Sequence, residues 1–303
     1  MTRKKILAAG LLMILAPSSS FACACGCGVF DVGTFALVAN GEGANVFVEY
    51  NFMDQNRNWS GTKSAPAPAN DDVEIKSQFV TLGGQTMFAN GWGVMAEVPL
   101  VNRTFKTDSG AGIDTFENSA LGDIRLMGVY SGFSEDMATG MIFGVKLPTG
   151  DFHHAGFDRD TAIGSGSTDL LFGLNHVGEL PSDFGWYGQI MWDKPVASQG
   201  GYTPGTEVNG ALGIYYVGIS LGGATIKPML QVIASNRTRD GGAEADPDNS
   251  GYSRILLSPG IEVAYGNWRL YGDVEFPVYQ DVNGNQLVAH QLFKFVASYS
   301  LEG

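Results

Sequence analysis

From about residue 44 to residue 301 the chain carries apolar side chains at every second position, in segments of roughly nine to twelve residues. The clearest runs from Trp268 to Tyr279. Trp268, Leu270, Val274, Phe276 and Val278 share one face, and Arg269, Tyr271, Asp273 and Glu275 share the other. Period-2 alternation puts the two sets on opposite sides of a strand. Its neighbour, 254–265, opposes Ile255, Leu257, Ile261, Val263 and Tyr265 to Arg254, Ser258 and Glu262. The same division separates Val46, Val48, Tyr50 and Phe52 from Glu49 and Asn51, and Trp92, Val94, Ala96, Val98 and Leu100 from Glu97. Ile124, Leu126 and Tyr130 oppose Asp123 and Arg125; Met141, Phe143, Val145 and Leu147 oppose Lys146. Leu170, Phe172 and Leu174 oppose Asp169 and Asn175, Trp186, Ile190 and Trp192 oppose Gln189 and Asp193, and Val208, Leu212, Ile214 and Tyr216 oppose Glu207 and Asn209. Ile226, Leu230 and Val232 oppose Lys227 and Gln231, and a last strand over about 288–301 carries Phe293, Phe295, Ala297, Tyr299 and Leu301 on one face. The phase is ambiguous over 73–88, where Gly83-Gly84 reads as a bend or bulge.

The gaps alternate between tight turns such as Asn90-Gly91 and Gly266-Asn267 and long, polar, Gly-rich stretches such as 102–118, 151–167 and 236–253. A transmembrane β-barrel has short turns on its periplasmic side and long loops outside. A soluble sandwich alternates too, but nothing makes it gather its long loops at one end. The apolar faces also finish in Trp and Tyr, as an interfacial girdle does. The expectation is an all-β fold: an antiparallel, up-and-down transmembrane barrel of about twelve strands.

The N-terminus fits that destination. Arg3, Lys4 and Lys5 precede an apolar run, Ile6 to Leu15, then Pro17 and small residues ending at Ala22. These are the parts of a secretory signal peptide, and the run is too short to span a membrane as a helix. Cleavage after Ala22 or after Ala24 fits the pattern; a lipoprotein cut before Cys23 is disfavoured by Ser20. The organisation read from sequence is therefore a signal peptide over 1–22, a Cys/Gly-rich segment over 23–43 and a barrel over 44–303. Residues 25–43, Gly-rich and non-alternating, would enter the lumen or lie at its periplasmic mouth as a plug.

Composition agrees. Charged residues make up 16% and glycines number 42, against about 25% charge in soluble domains. The net charge is −13, and the signal's three cations make the remainder more negative still. Such acidity argues against nucleic acid as a partner, because phosphates call for Lys and Arg patches. The expected partners are outer-membrane lipid, lipopolysaccharide and a small-molecule solute, in the outer membrane of a Gram-negative bacterium.

Several stretches resemble the exported bacterial barrels grouped as "MetA-pathway of phenol degradation" transporters. They are Gly122-Asp123-Ile124-Arg125 opening one strand, Lys146-Leu147-Pro148-Thr149-Gly150-Asp151 closing the next, and Ile163-Gly164-Ser165-Gly166-Ser167-Thr168-Asp169 after a loop. The resemblance covers about 44–301. It implies passage of aromatic or other hydrophobic small molecules and brings no binding residues with it. The run Cys23-Ala24-Cys25-Gly26-Cys27 departs from the usual pattern and suggests a subgroup.

That run holds all three cysteines of the chain. Thiolates so spaced can converge on Cu(I) or Zn(II), while lipidation of Cys23, loss with the signal and pairing with another chain are the plainer readings. No cofactor is required by the barrel itself. His153-His154 with Asp151, Asp158 and Asp160, and Asp246-Pro247-Asp248-Asn249-Ser250, could hold metal but read as solvated loops. The lumen-facing candidates are Glu49, Glu97, Asp123, Arg125, Lys146, Asp169, Lys227, Arg254, Glu262, Arg269, Asp273 and Glu275, which either select a permeant or pair across the lumen. No Gly-x-Ser-x-Gly elbow, His-Glu-x-x-His helix or phosphate loop is present, so no catalysis is expected. A passive channel is the leading reading, and a metal-handling or partner-docking barrel that uses the cysteines is the alternative.

Overall fold

The computed structural model describes residues 30–33, 42–66 and 71–301. Fourteen strands follow one another: β1 (Gly43–Gly61), β2 (Lys63–Ser64), β3 (Asp72–Met87), β4 (Trp92–Asp108), β5 (Ile113–Leu121), β6 (Arg125–Tyr130), β7 (Thr139–Lys146), β8 (Ser167–Leu180), β9 (Phe184–Ser198), β10 (Glu207–Tyr216), β11 (Ile219–Leu221), β12 (Ala224–Arg237), β13 (Tyr252–Tyr265) and β14 (Trp268–Leu301). Eleven of them close into one ring, and β2, β5 and β11 pair onto its members from outside it. All pairings are antiparallel, and the ring shuts where β10 meets β12 and where β1 lies along β14. Closure leaves no sheet edge unpaired around the wall, which is what a β structure in hydrocarbon requires. No helix of the described residues is long and apolar enough to cross a membrane.

Two elements need closer inspection. β4 pairs with β6 through Trp92–Glu97 and with β5 through Leu100–Asp108, so β5 and β6 lie end to end along one neighbour. β14 is 34 residues long, roughly 110 Å if straight at about 3.3 Å per residue. It is not straight: its first part pairs with β13 and its second with β1. Ser300 donates its amide to Asn267 O (2.9 Å), and the Trp268 and Tyr299 rings lie 5.0 Å apart. The chain doubles back near Gly284, at φ +59°.

The polarity of the wall is inverted relative to a soluble protein. Val46, Val48, Val94, Leu126, Leu170, Leu212, Ile214, Leu230, Val232, Leu270 and Phe295 are exposed on the outside, whereas Glu49, Asn51, Asn209, Gln231, Glu262, Asp273 and Lys294 are buried within. A soluble monomer rarely exposes a contiguous apolar patch beyond a few hundred Å²; here apolar side chains alternate outward on almost every strand. Aromatic residues gather at the short-turn rim. Trp92 contacts Tyr130 (4.8 Å between ring centres), Tyr130 contacts Phe133 (5.0 Å), and Phe184 contacts Tyr216 (5.1 Å). Such a band suits the interface between hydrocarbon and water.

The structure departs from sequence expectation in two places. Residues 102–118 are not a loop: β4 continues to Asp108 and β5 begins at Ile113, making a hairpin that extends beyond the wall. Long side chains such as Phe105 and Phe116 stack across it at 6.3 Å, and this packing keeps a polar segment in strand form. Gly83-Gly84 is not a bulge either, because the β1–β3 register runs unbroken past it. Gly83 is small so that the Phe47 ring can lie over it; a Cβ there would stand 2.0 Å from that ring. The other long connections are 147–166 and 238–251, and the turns at 88–91, 181–183 and 266–267 are tight.

Candidate functional site

Among the described residues, the interior is filled by the inward side chains of the wall, by Phe30–Gly33 and by the connection between β7 and β8. Between them lies a chamber of about 280 Å³. Its lining combines apolar Phe30, Phe47, Phe79, Met95, Met127 and Met191 with the charged Asp31, Arg103, Arg125, Lys146, Arg159, Glu97 and Asp193.

Phe30–Gly33 lies inside the ring. Arg125 grips the Asp31 carboxylate with both terminal nitrogens, the Nη2 bond at 2.8 Å. Lys294 Nζ donates to the carbonyl oxygens of Phe30 (2.9 Å) and Val32 (2.7 Å). The hydroxyl oxygens of Tyr187 and Tyr271 each lie 3.3 Å from Gly33 O, and Gln189 accepts from Gly33 N at 3.3 Å. Phe30 and Val32 join a buried cluster with Phe47, Met127, Met191 and Leu292.

From the other side, the 147–166 connection folds inward. Arg103, 3% exposed, donates from Nη1 to Thr161 O (2.8 Å) and Ala162 O (2.9 Å) and from Nε to Ser77 Oγ (2.9 Å). Asp123 accepts from Gly150 N (3.0 Å), Ser165 N (2.9 Å) and Ser165 Oγ (2.5 Å), pinning both ends of the connection together. Phe157 packs against Phe105 (5.8 Å) and Phe116 (6.5 Å) on the protruding hairpin. Arg159 donates to Phe152 O (2.8 Å) and Ser165 O (3.1 Å) and lies over the Tyr202 ring. Burial raises the Asp158 carboxyl from 3.8 to about 6. Asp160 is pushed well above the usual range by burial, with Asp158, Asp72 and Asp240 adding to it.

The twelve acidic and basic positions picked from sequence divide into groups. Glu49, Glu97, Asp123, Arg125 and Lys146 stand on the chamber. Asn51 donates to Glu49 at 2.6 Å, and Glu97 lies 3.8 Å from Arg125. Lys146 pairs with Asp169 and stands 3.7 Å from Asp193. Under β12–β14, Lys227 pairs with Glu262 (2.8 Å), Arg254 lies 3.9 Å over the Tyr252 ring, and Asp273 accepts from Gln231 (2.7 Å), Ser258 (2.9 Å) and Tyr271 (2.5 Å). Glu275 is fully buried beside this group, and no hydrogen bond to either carboxylate oxygen is made among the described residues. Arg269, half-buried at the turn end of β14, joins none of these pairs.

The fold neighbours agree with the inverted wall. A crystallised outer membrane channel from Pseudomonas putida F1 superposes with a TM-score of 0.64 at 12% identity, over 89% of this chain and all of that one. The fold is that of an outer-membrane β-barrel. The β domain of the Bordetella autotransporter BrkA superposes less well, with a TM-score of 0.50 at 12% identity, over 86% of this chain and all of its own. No protein-family model matches the chain, and no curated protein matches it in sequence.

Cys23, Cys25 and Cys27 lie outside the described residues. Among the described residues no group of three His, Cys, Asp or Glu could hold a metal ion. His154 instead meets Asp151 at 3.0 Å, Asp246 accepts from Asn249 (2.7 Å), and Asp248 pairs with Arg239 (2.9 Å). Sequence reasoning missed Asp31, Arg103, Arg159 and Lys294. Lys294 had a signal, since it sits between Phe293 and Phe295 in the inward phase. The other three lie in segments without strand alternation or in what read as a loop.

Proposed function

We propose that this chain is an outer-membrane channel for passive passage of small, hydrophobic or aromatic solutes. One observation carries the reading: a closed ring with an apolar exterior surrounds a chamber of about 280 Å³ lined by Phe, Met and Arg side chains. Sites for small molecules are largely apolar with a few convergent polar groups. The resemblance to the "MetA-pathway of phenol degradation" barrels supports the same class of solute.

The wall is best counted as twelve strands. A ring in which every contact is antiparallel needs an even number, and β14 supplies two members while β5 and β6 supply one. In this reading residues 1–22 are a signal peptide removed on export, 23–43 are the Cys/Gly-rich segment that serves as a plug or a periplasmic extension, and 44–303 are the barrel. The tight turns face the periplasm. The 147–166 and 238–251 connections face outward toward lipopolysaccharide. The metal-handling alternative rests on Cys23, Cys25 and Cys27; equal metal content in parent and triple Cys→Ser protein removes it.

Liposome swelling tests the channel. Purified barrel should speed the entry of phenol and benzyl alcohol over protein-free liposomes. No added permeation for either solute, with no KCl current in planar bilayers, refutes passage.

A further inference from the structure

Phe30–Gly33 is held as a ligand is held. The Asp31 carboxylate takes a two-pronged grip from Arg125, and the carbonyls beside it take Lys294 Nζ at 2.9 and 2.7 Å. The Phe30 ring leans on Phe79, 6.1 Å between centres at 56°. Arg125 and Lys294 stand on strands remote from each other in sequence and converge on this short segment. A planar guanidinium fork, an ammonium and an aromatic wall are together the donor set that recognises a carboxylate attached to a ring.

The segment brings that chemistry itself, in the ring of Phe30 and the carboxylate of Asp31. If it withdrew, Arg125 would keep Glu97 at 3.8 Å, outside hydrogen-bond reach. A partly buried cation left with its remaining carboxylate beyond hydrogen-bond reach is costly, so the vacated position favours another carboxylate over a neutral molecule. We propose that Phe30-Asp31 occupies a binding site for small aromatic carboxylates, and that such a solute displaces it. The proposal rests on the channel reading and names the solute class for it.

The test uses the full-length barrel in detergent, with phenylacetate and its neutral counterpart phenylacetamide measured by equilibrium dialysis, and KCl current measured in planar bilayers. Asp31→Ala removes the built-in competitor. It should tighten phenylacetate binding about 10- to 100-fold, the range expected of one charge-assisted contact made available, and leave phenylacetamide much less affected. Arg125→Gln in the Asp31→Ala background should abolish the gain, and Arg125→Lys should keep part of it. Heat-modifiable gel mobility checks folding. Should Arg125→Gln fail to fold, Lys294→Gln is measured in the same background and should weaken phenylacetate binding. An Asp31→Ala barrel with an unchanged preference between the two probes, or a gain that survives Arg125→Gln, overturns the proposal. A conducting barrel without the preference removes the site and keeps the channel; the preference in a barrel that passes neither solute nor current removes the channel and keeps the site.

Discussion

Arg103→Met should release the inward-folded 147–166 connection while leaving the wall intact. Arg103 Nη1 bonds the carbonyls of Thr161 and Ala162 at 2.8 and 2.9 Å. A hydrogen bond to a charged group contributes about 1.5–3 kcal/mol, so the pair holds the connection by about 3–6 kcal/mol. Part of that is returned when water reaches the freed carbonyls, which leaves roughly 3 kcal/mol, or an opening equilibrium shifted about 100-fold. Met keeps an unbranched side chain there and removes the guanidinium, whose carbon lies 5.9 Å from the Phe79 ring. Hydrogen exchange read by mass spectrometry measures the result. The Ala162 amide, bonded to Asp158 O at 3.0 Å, and the Gly164 amide, bonded to Asp151 O at 2.8 Å, should exchange about 100-fold faster. Amides of β8, held in the ladder to β7 and β9, should not change. Exchange at 162 and 164 as slow as in the parent refutes the assignment and leaves Asp123 and Phe157 as the anchors.

Asp158 gives the same connection a pH dependence. Its carboxyl is raised from 3.8 to about 6 by burial, so the docked loop binds the proton more tightly than the open one. Docking is then strongest below about 4 and weakens as pH rises through about 6, and Asp160, raised further by burial in the same connection, carries the loss to higher pH; protease cleavage within 147–166 should rise over that range, and Asp158→Asn should remove the part of the rise below about 6. Gly83→Val should cost about 1–3 kcal/mol by driving a side chain into the Phe47 ring, read as a lowered heat-modification midpoint; an unchanged midpoint contradicts the packing. Leu212, 59% exposed on β10, should cost about 2–4 kcal/mol as Arg if it faces mid-bilayer hydrocarbon; folding yield into liposomes should fall, and a yield equal to the parent's contradicts a lipid-facing wall.

The wall was legible because strand periodicity is local. Val46 through Phe52, or Leu270 through Val278, show their faces within a handful of residues, and lipid on one side enforces the pattern. Asp273 and Glu262 could be assigned inward for the same reason. Their cross-strand partners could not: Gln231 and Ser258 meet Asp273 only after three strands are set in register. Arg103 was hidden because 102–118 is polar enough to read as a loop, and its strand form depends on Phe105–Phe116 packing across a hairpin. Asp31 was hidden for a different reason. Nothing near it alternates, and its partner is 94 residues away.

The interior charges also bear on what a chamber of this kind can pass. Lys146 with Asp169 and Lys227 with Glu262 are ion pairs between directly opposed residues of neighbouring wall strands. Removing one member of a buried pair costs about 3–5 kcal/mol, so these groups hold position and leave little field for a passing ion. Arg125 differs from them in one respect. Its carboxylate partner, Asp31, belongs to none of the strands, so the pair can part without unpicking a ladder bond of the wall. If a solute's carboxylate replaces that of Asp31 on Arg125, selection by charge and by ring falls at one place in the lumen, beside Phe30, Phe79 and Met127.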